Sequence, residues 1–347
     1  MTHLWMRAEQ RDNEQRAPLT PEGAARLIAA GLRLTVEDSP ARILPTDAYR
    51  QAGAGIAAPG SWVQAPGDAI ILGLKELPED DTPLHHTHIM FGHAYKGQGA
   101  GARLLARFAA GGGRLLDLEY LTDAGGRRVA AFGYWAGFAG AAVTVLAWSA
   151  GRNGTIAGPV AAWPDADAMI ADAARALGPT RPTALVIGAL GRVGRGAADL
   201  CKGLDIPVTG WDMAETANGG PFPQILDHDL FFNCILARPG TPVFVGPEAL
   251  AAPRRLAAIG DIACDPDSDY NPIPLYDRAT DWAAPVTRVH ADPVLDIMAI
   301  DNLPSLLPRE STLDFADQLL PHLLTLSDDP DGVWDRAARL FADHVRR

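Results

Sequence analysis

Three of the thirty basic side chains in this 347-residue chain are lysines, and two of them, Lys75 and Lys96, stand close together between Ile71-Leu72-Gly73-Leu74-Lys75-Glu76 and Gly92-His93-Ala94-Tyr95-Lys96. An arginine guanidinium stays protonated in proteins, whereas a partly buried ammonium can be tuned toward the neutral amine and act as a base. Lys75 closes an apolar run, Ala69 to Leu74, that reads as a buried strand, which makes it the candidate base. A strand-end lysine pointing to water is the competing reading, and position alone favours neither. His93 lies near the end of the next apolar run, where open α/β sheets place their ligands and an imidazole can accept and return a proton. A structural histidine is its alternative. His85, His86 and His88 crowd the same stretch, and closely spaced imidazoles are common zinc ligands. With no cysteine nearby and Asp80 and Asp81 beside a loop-like passage, the segment is read as holding no metal.

A second constellation lies further on. The β-branched run Thr183 to Ile187 ends in Gly188, Gly191 and Gly194, and a helical stretch, Arg195 to Leu204, follows. Such a loop lets backbone amides approach a pyrophosphate at a helix N-terminus, where the dipole favours negative charge. The next strand-like run, Pro207 to Trp211, ends in Asp212, an acid about 20 residues beyond the glycines and placed to accept hydrogen bonds from ribose hydroxyls. Its charge would repel a 2′-phosphate, so the loop reads as binding NAD rather than NADP. Arg127 and Arg128 stand before a long small-residue stretch, and Arg16 stands in the polar loop Arg11 to Pro18. Each is able to clamp a carboxylate bidentately or meet a cofactor phosphate.

These groups need elements to hold them. The first third alternates strand-like and helix-like stretches: strands at Leu4–Glu9, Leu32–Glu37, Ala69–Leu74, Ile89–His93 and Arg114–Leu121, with helices opening at Thr20-Pro21-Glu22 and running from Ala102 to Ala110. The alternation resumes with a helix from Ala166 to Leu177 and strands at Leu230–Leu236 and Ala257–Ala263. The pattern predicts an α/β protein of two Rossmann-like, doubly wound parallel-sheet domains with a cleft between them. Residues 1–130 with 303–347 form the expected catalytic domain, 131–302 the expected NAD-binding domain, and a helix over about 129–148 crosses between them. Asn302 to Glu310 is too proline-punctuated for regular structure, and final helices are expected at Phe315–Leu326 and Val333–Val345.

Composition sets the outer bounds. A formal net charge of -12 argues against nucleic acid, whose binding is driven by basic patches. Cys201, Cys234 and Cys264 are an odd number in a large chain, which points to a reducing cytoplasm rather than a disulfide framework. Arg7, Glu9, Arg11 and Asp12 break any early apolar run, so no signal peptide is expected. From Val129 to Gly151 there is no charge, which meets the length of a membrane span, yet Gly133, Gly137, Gly140 and many alanines fit a closely packed buried helix better.

The segments Leu4-Trp5-Met6-Arg7-Ala8-Glu9, Val36-Glu37-Asp38-Ser39-Pro40, Tyr49-Arg50-Gln51-Ala52-Gly53-Ala54, Gly73-Leu74-Lys75-Glu76, Gly126 to Gly133, Ile187 to Arg192, Gly219-Gly220-Pro221-Phe222, Asn271-Pro272-Ile273-Pro274 and Leu303 to Glu310 resemble those of a known family over nearly the whole chain. That family is the NAD-dependent, lysine-forming saccharopine dehydrogenases, relatives of alanine dehydrogenase and of the N-terminal part of transhydrogenase. The resemblance implies a monomer that oxidises saccharopine with NAD to an imine and hydrolyses it to lysine and 2-oxoglutarate. It also implies that Lys75 and His93 are the acid–base pair and that Arg16, Arg128 and Phe132 line the substrate site. Glu119 and Lys96 would stand near the pair. Arg127, Gly188, Gly191, Arg192, Gly194, Asp212 and Thr216, with Leu236, Ile262, Ile300, Asp301, Asn302 and Leu303, would meet the cofactor.

Two departures stand out. Val193 replaces a cysteine found in the glycine loop of better-known members, and Asp261 to Tyr270 differs from the Val-Ser-Ala-Asp pattern expected beside the nicotinamide. The second departure bears on substrate side-chain specificity. The alternatives are an opine-type or alanine dehydrogenase acting on another amino acid and oxo acid, or a non-catalytic NAD-binding relative.

Overall fold

The computed structural model describes residues 1–347 except Asp12, Lys96–Gln98, Asp265, Asp267 and Arg346–Arg347. Lys96 and two acids of the 261–270 segment therefore lie outside the described residues. The chain divides into two compact units, Met1–Ala131 with Pro308–Arg347, and Phe132–Leu307.

In the first unit, β1 (His3–Met6), β2 (Arg33–Glu37), β3 (Gly55–Ala57), β4 (Ile70–Leu72), β5 (Thr87–Met90) and β6 (Arg114–Asp117) pair in parallel in the order β3-β2-β1-β4-β5-β6. Helices α1 (Pro21–Ala29), α2 (Thr46–Gln51) and α3 (Gly99–Gly111) intervene. Thr20 caps α1 by accepting the Gly23 amide at 3.1 Å, and Pro21 occupies a first-turn position that needs no intrahelical donor. Leu4, Met6, Val36, Ile71, Ile89 and Leu115 are fully buried and fuse the strands to the helices. The strand order reverses between β1 and β4, and that switch point opens a crevice at their carboxyl ends.

The second unit holds α4 (Gly133–Arg152), α5 (Ala166–Leu177), β7 (Ala184–Ile187), α6 (Arg192–Gly203), β8 (Val208–Trp211), α7 (Met213–Thr216), β9 (Leu230–Asn233), β10 (Ala258–Asp261), β11 (Thr287–Ala291) and β12 (Val294–Met298). Its sheet runs β11-β12-β10-β9-β7-β8, parallel except for β11, which pairs antiparallel to β12 at the edge. The sequence pattern does not reveal β11 and β12. Their charges hide them: buried Asp296 of β12 takes Arg288 of β11 in two hydrogen bonds, each 2.9 Å.

Several boundaries differ from expectation, and two bear on the passage between the units. Helix α4 begins at Gly133, because Val129 and Ala131 are held in a loop by Leu121 and by the Gln318 side chain. The proline-rich stretch is ordered as a 3-10 turn, Leu303–Leu306, followed by α8 (Pro308–Leu324), with α9 (Val333–Val345) after it. Pro304 and Pro308 stand in first turns, where a missing amide costs nothing. Leu303, Leu306 and Leu307 bury themselves in the core of the second unit.

Among the described residues no helix is long and apolar enough to cross a membrane. The small residues of α4 have another use. A Cβ on Gly137 would fall 1.9 Å from the Val193 carbonyl oxygen, and one on Gly196 of α6 would fall 1.9 Å from that of Tyr134. The helices touch backbone to backbone.

Gly196→Ala is therefore expected to destabilise this unit by about 3 kcal/mol, at the upper end of overpacking costs because backbone must move. Gly158→Ala, where nothing lies within 4 Å, should leave the urea unfolding midpoint unchanged. Equal midpoints for the two variants would refute the close approach.

Candidate active site

Beyond β4 the chain leaves the ladder as Gly73-Leu74-Lys75. The Leu74 and Lys75 amides donate to the two carboxylate oxygens of Glu9 at 2.7 and 2.9 Å. Arg7, which follows β1 and is 1% exposed, donates to the Lys75 carbonyl and forms an ion pair with Glu9 at 3.4 Å. Lys75 itself is half-buried rather than a solvent-facing strand end. Burial lowers its pKa, the Arg16 charge lowers it further, and Glu76 and Glu14 oppose without prevailing.

Arg16 is buried, and its backbone amide and Nε donate to Glu14 Oε1 at 3.0 and 2.8 Å while Nη2 meets Oε2 at 2.5 Å. Burial would raise the Glu14 pKa, but the guanidinium outweighs it, and the carboxylate is held below its usual range. The loop carrying both is pinned by Glu14 to Arg11, by Ile43 to Gln15, and by the Ala17 amide to Thr312 of α8 at 3.1 Å.

His93 follows β5. Its φ of 47° lies in the left-handed region, which costs a non-glycine residue about 1–3 kcal/mol and persists where neighbours over-determine it. The ring stacks on Phe91 and its Nδ1 meets Glu119 Oε2 at 3.0 Å. Glu119 sits in a 3-10 turn, Leu118–Tyr120, capped by Asp117, whose Oδ1 accepts the Glu119 amide at 2.9 Å. Burial holds the Asp117 carboxyl above the usual range, and its Oδ2 makes no hydrogen bond of ordinary geometry. Lys75, His93 and Glu119 thus follow the adjacent parallel strands β4, β5 and β6 at one edge of one sheet.

The other histidines go their own ways. His85 bonds to the Gly111 carbonyl, His86 to that of Ala65, and His88 lies in the core between Trp62 and Phe108 with its basicity suppressed by burial. Among the described residues no cluster of His, Cys, Asp or Glu is arranged to hold a metal ion.

In the second unit the glycine loop joins β7 to α6. Gly188 has a φ of 87°, and a Cβ on Gly194 would fall 2.2 Å from the Gly188 carbonyl oxygen, so both positions require glycine. Gly191 caps α6 without a side-chain hydrogen bond. Asp212, which follows β8 and caps α7, accepts the Leu190 amide at 3.1 Å and the Met213 amide at 3.0 Å, and Thr216 Oγ1 donates to its carbonyl. Leu236 is exposed beyond β9, and Asp301 is exposed beyond β12. Ile262, Ile300 and Leu303 are core residues, so only their backbone can face a ligand, and Asn302 donates to Ser305 at 2.7 Å.

Arg127 and Arg128 are exposed in the turn that Asp123 organises by accepting the Gly125 and Arg127 amides, and Phe132 precedes α4 as its N-cap. Arg128 joins Lys75, Arg16, His93 and Glu119 in the first unit, whereas Phe132 and Arg192 belong to the second. Sequence reasoning missed Arg7, Glu9, Glu14 and Asp117. The one local signal was Glu14 two residues before Arg16.

Residues 5–139 match the family model for the N-terminal domain of alanine dehydrogenase and PNT. A saccharopine dehydrogenase (NAD(+), L-lysine-forming) of Neurospora crassa is 45% identical over 99% of this chain and 96% of its own. The enzyme of the same name from Schizosaccharomyces pombe is 42% identical over 99% of each. A solved L-alanine dehydrogenase superposes with a TM-score of 0.67 at 16% identity, covering 97% of this chain and 94% of its own.

The electrostatics yield a pH test. Neutral Lys75 should be populated below the ordinary lysine value of 10.5, and competitive acetylation read by mass spectrometry against pH would report its midpoint. Arg16→Leu removes a nearby cation and should move that midpoint upward. A midpoint that stays put, or moves down, would refute the coupling.

Proposed function

The chain belongs to the NAD-dependent, lysine-forming saccharopine dehydrogenase family, and from that premise we propose that Lys75 and His93 form its acid–base pair. The enzyme oxidises saccharopine with NAD and releases L-lysine and 2-oxoglutarate. The observation that carries the assignment of the pair is a half-buried lysine of lowered pKa on the same sheet edge as an imidazole held by a carboxylate.

Neutral Lys75 takes the proton of the secondary amine that links the two amino-acid skeletons. The nicotinamide, held by the glycine loop and Asp212, would supply the acceptor for the hydride of the adjacent carbon. His93, its Nδ1 oriented by Glu119, then takes a proton from water as the oxygen adds to the imine carbon and Lys75 returns its proton to the nitrogen; His93 passes the water proton on to that nitrogen, and as the carbon–nitrogen bond breaks the hydroxyl proton goes to Lys75. Arg16 and Arg128 are assigned to substrate carboxylates, where a planar fork fixes orientation as well as charge. Arg16 would exchange part of its Glu14 pairing for that contact. Phe132 supplies an apolar wall.

The residues of the second unit fit the cofactor. The space that Cβ atoms on Gly188 and Gly194 would fill is needed by the loop itself, and the amides at the start of α6 suit a pyrophosphate. Asp212 is assigned to the ribose hydroxyls, with Gly191, Arg192, Thr216, Leu236 and the backbone of Ile262 and Ile300–Leu303 along the same carboxyl edge, and Arg127 to the phosphates. The acid–base groups belong to the first unit, and the glycine loop and Asp212 to the second. Three cysteines outside any disulfide support action in the reducing cytoplasm, and we assign a monomeric state.

Lys75→Met keeps the apolar stem and removes the titrating amine, so turnover should fall by roughly two to four orders of magnitude with NAD affinity retained. Stopped-flow oxidation of saccharopine with a parallel NAD titration measures both. Near wild-type turnover would return Lys75 to a structural role. Asp212→Ala should narrow the preference for NAD over NADP in kcat/KM. An unmodified enzyme that already uses both cofactors equally would overturn the ribose assignment.

A further inference from the structure

The carboxylate of Glu9 spans two consecutive backbone amides, one oxygen to Leu74 and one to Lys75. Arg7 approaches the two peptides that follow, donating to the carbonyl oxygens of Lys75 and, at 3.5 Å, Glu76, and also to that of Ala8 at 3.2 Å. Both side chains are removed from water, at 0% and 5% exposure. A buried ion pair is weak as a source of stability, since apolar residues of similar volume often serve as well or better. Its value lies in direction. The guanidinium occupies the place a side chain at position 73 would need: a Cβ there would lie 2.4 Å from Arg7 Nε and 2.6 Å from Cζ. Position 73 is a glycine, and its φ is not in the left-handed region, so crowding by Arg7 rather than backbone conformation accounts for it.

The fixed peptide reaches further. Leu74 receives the Phe91 amide on its carbonyl at 2.9 Å, and the Gly73 amide donates to Ile89 at 2.9 Å, so the loop bearing Lys75 stays in register with the segment leading to His93. Glu9 holds the amide of Leu74 while Phe91 holds its carbonyl. The end of β1 therefore sets the end of β4, which sets the end of β5.

We propose that Arg7 and Glu9 are positioning residues for catalysis, forming a buried clamp on the backbone of Leu74–Glu76 that fixes the spacing between the Lys75 amine and the His93 imidazole. The proposal rests on the assignment of those two as the acid–base pair. A displacement of about 1 Å in such a pair can cost about a hundredfold in rate without loss of binding. Neither clamp residue touches substrate in this role.

Glu9→Gln keeps the volume but offers an NH2 to one of the two amides. It should lower kcat tenfold to a hundredfold, shift the pH limb that Lys75 governs, and leave the KM for NAD within twofold. A merely structural Glu9 would lower the unfolding midpoint while the folded fraction kept its kcat and its pH profile, and that outcome would overturn the proposal. A second test is a cycle. Gly73→Ala in the natural chain must displace the guanidinium and should depress kcat strongly. In an Arg7→Lys background the fork is already gone, so the same alanine should cost little more. Equal costs in the two backgrounds would show that Arg7 is not what position 73 accommodates. If Glu9→Gln does not fold, the cycle decides alone. Lys75→Met run alongside separates the two ideas: near wild-type turnover there sinks the acid–base pair itself, whereas a dead Lys75→Met with an unaltered Glu9→Gln sinks only the clamp.

Discussion

At the carboxyl ends of parallel strands the ladder hydrogen bonds run out, and acidic side chains replace them. Glu9 takes the amides of Leu74 and Lys75, Glu37 takes those of Ala8, Gly60 and Trp62, Asp117 takes that of Glu119, and Asp212 takes those of Leu190 and Met213. A buried amide left without a partner costs about 1–3 kcal/mol, and charge-assisted acceptors are the strong ones. Each of these acids therefore fixes a loop at the place where an open α/β sheet binds ligands. Acids fix the loops of the edge proposed as catalytic.

That acidity shapes the chemistry in turn. A lysine surrounded by carboxylates would ordinarily hold its proton more tightly, and Glu76 and Glu14 do pull Lys75 that way. Burial is the larger effect and prevails, with the Arg16 charge adding to it, while Arg16 and Glu14, paired with each other, pull on the amine in opposite directions. The overall charge of -12 matters little at this range, since exposed charges more than about 10 Å away are largely screened in salt. Local pairing decides.

The same acids explain what could be read from the sequence. Lys75 and His93 each follow an apolar run, and the glycine loop with Asp212 is a short-range pattern, so their strand-end placement is legible. Glu9 is not, because its partners lie 65 and 66 residues away, and a charge after a strand looks like any solvated end. Strand lengths are overestimated for a related reason: Leu74 and Phe91 remain buried after their strands have ended, and hydrophobicity reports burial rather than ladder pairing. Strands β11 and β12 are hidden by the opposite case, a buried Asp296 that interrupts an apolar run while its partner Arg288 sits on the neighbouring strand.

The long uncharged stretch that resembles a membrane span has its cause in packing. Helix α4 is covered by α5, α6 and strands β9, β10 and β12 of its own unit, so a charge on most of its surface would be buried without a partner. Glycine rather than leucine is needed where α6 crosses, because the carbonyl oxygens of Val193 and Tyr134 stand where side chains on Gly137 and Gly196 would go. The contact lies near the start of α6, and Gly133 packs against Arg192 and Val193, the first residues of that helix. The glycine turn whose amides are assigned to the pyrophosphate is thus seated on the N-terminal end of α4. A larger side chain there would push on the glycine loop itself, so the small residues at the start of α4 and the geometry of that loop are set by one contact.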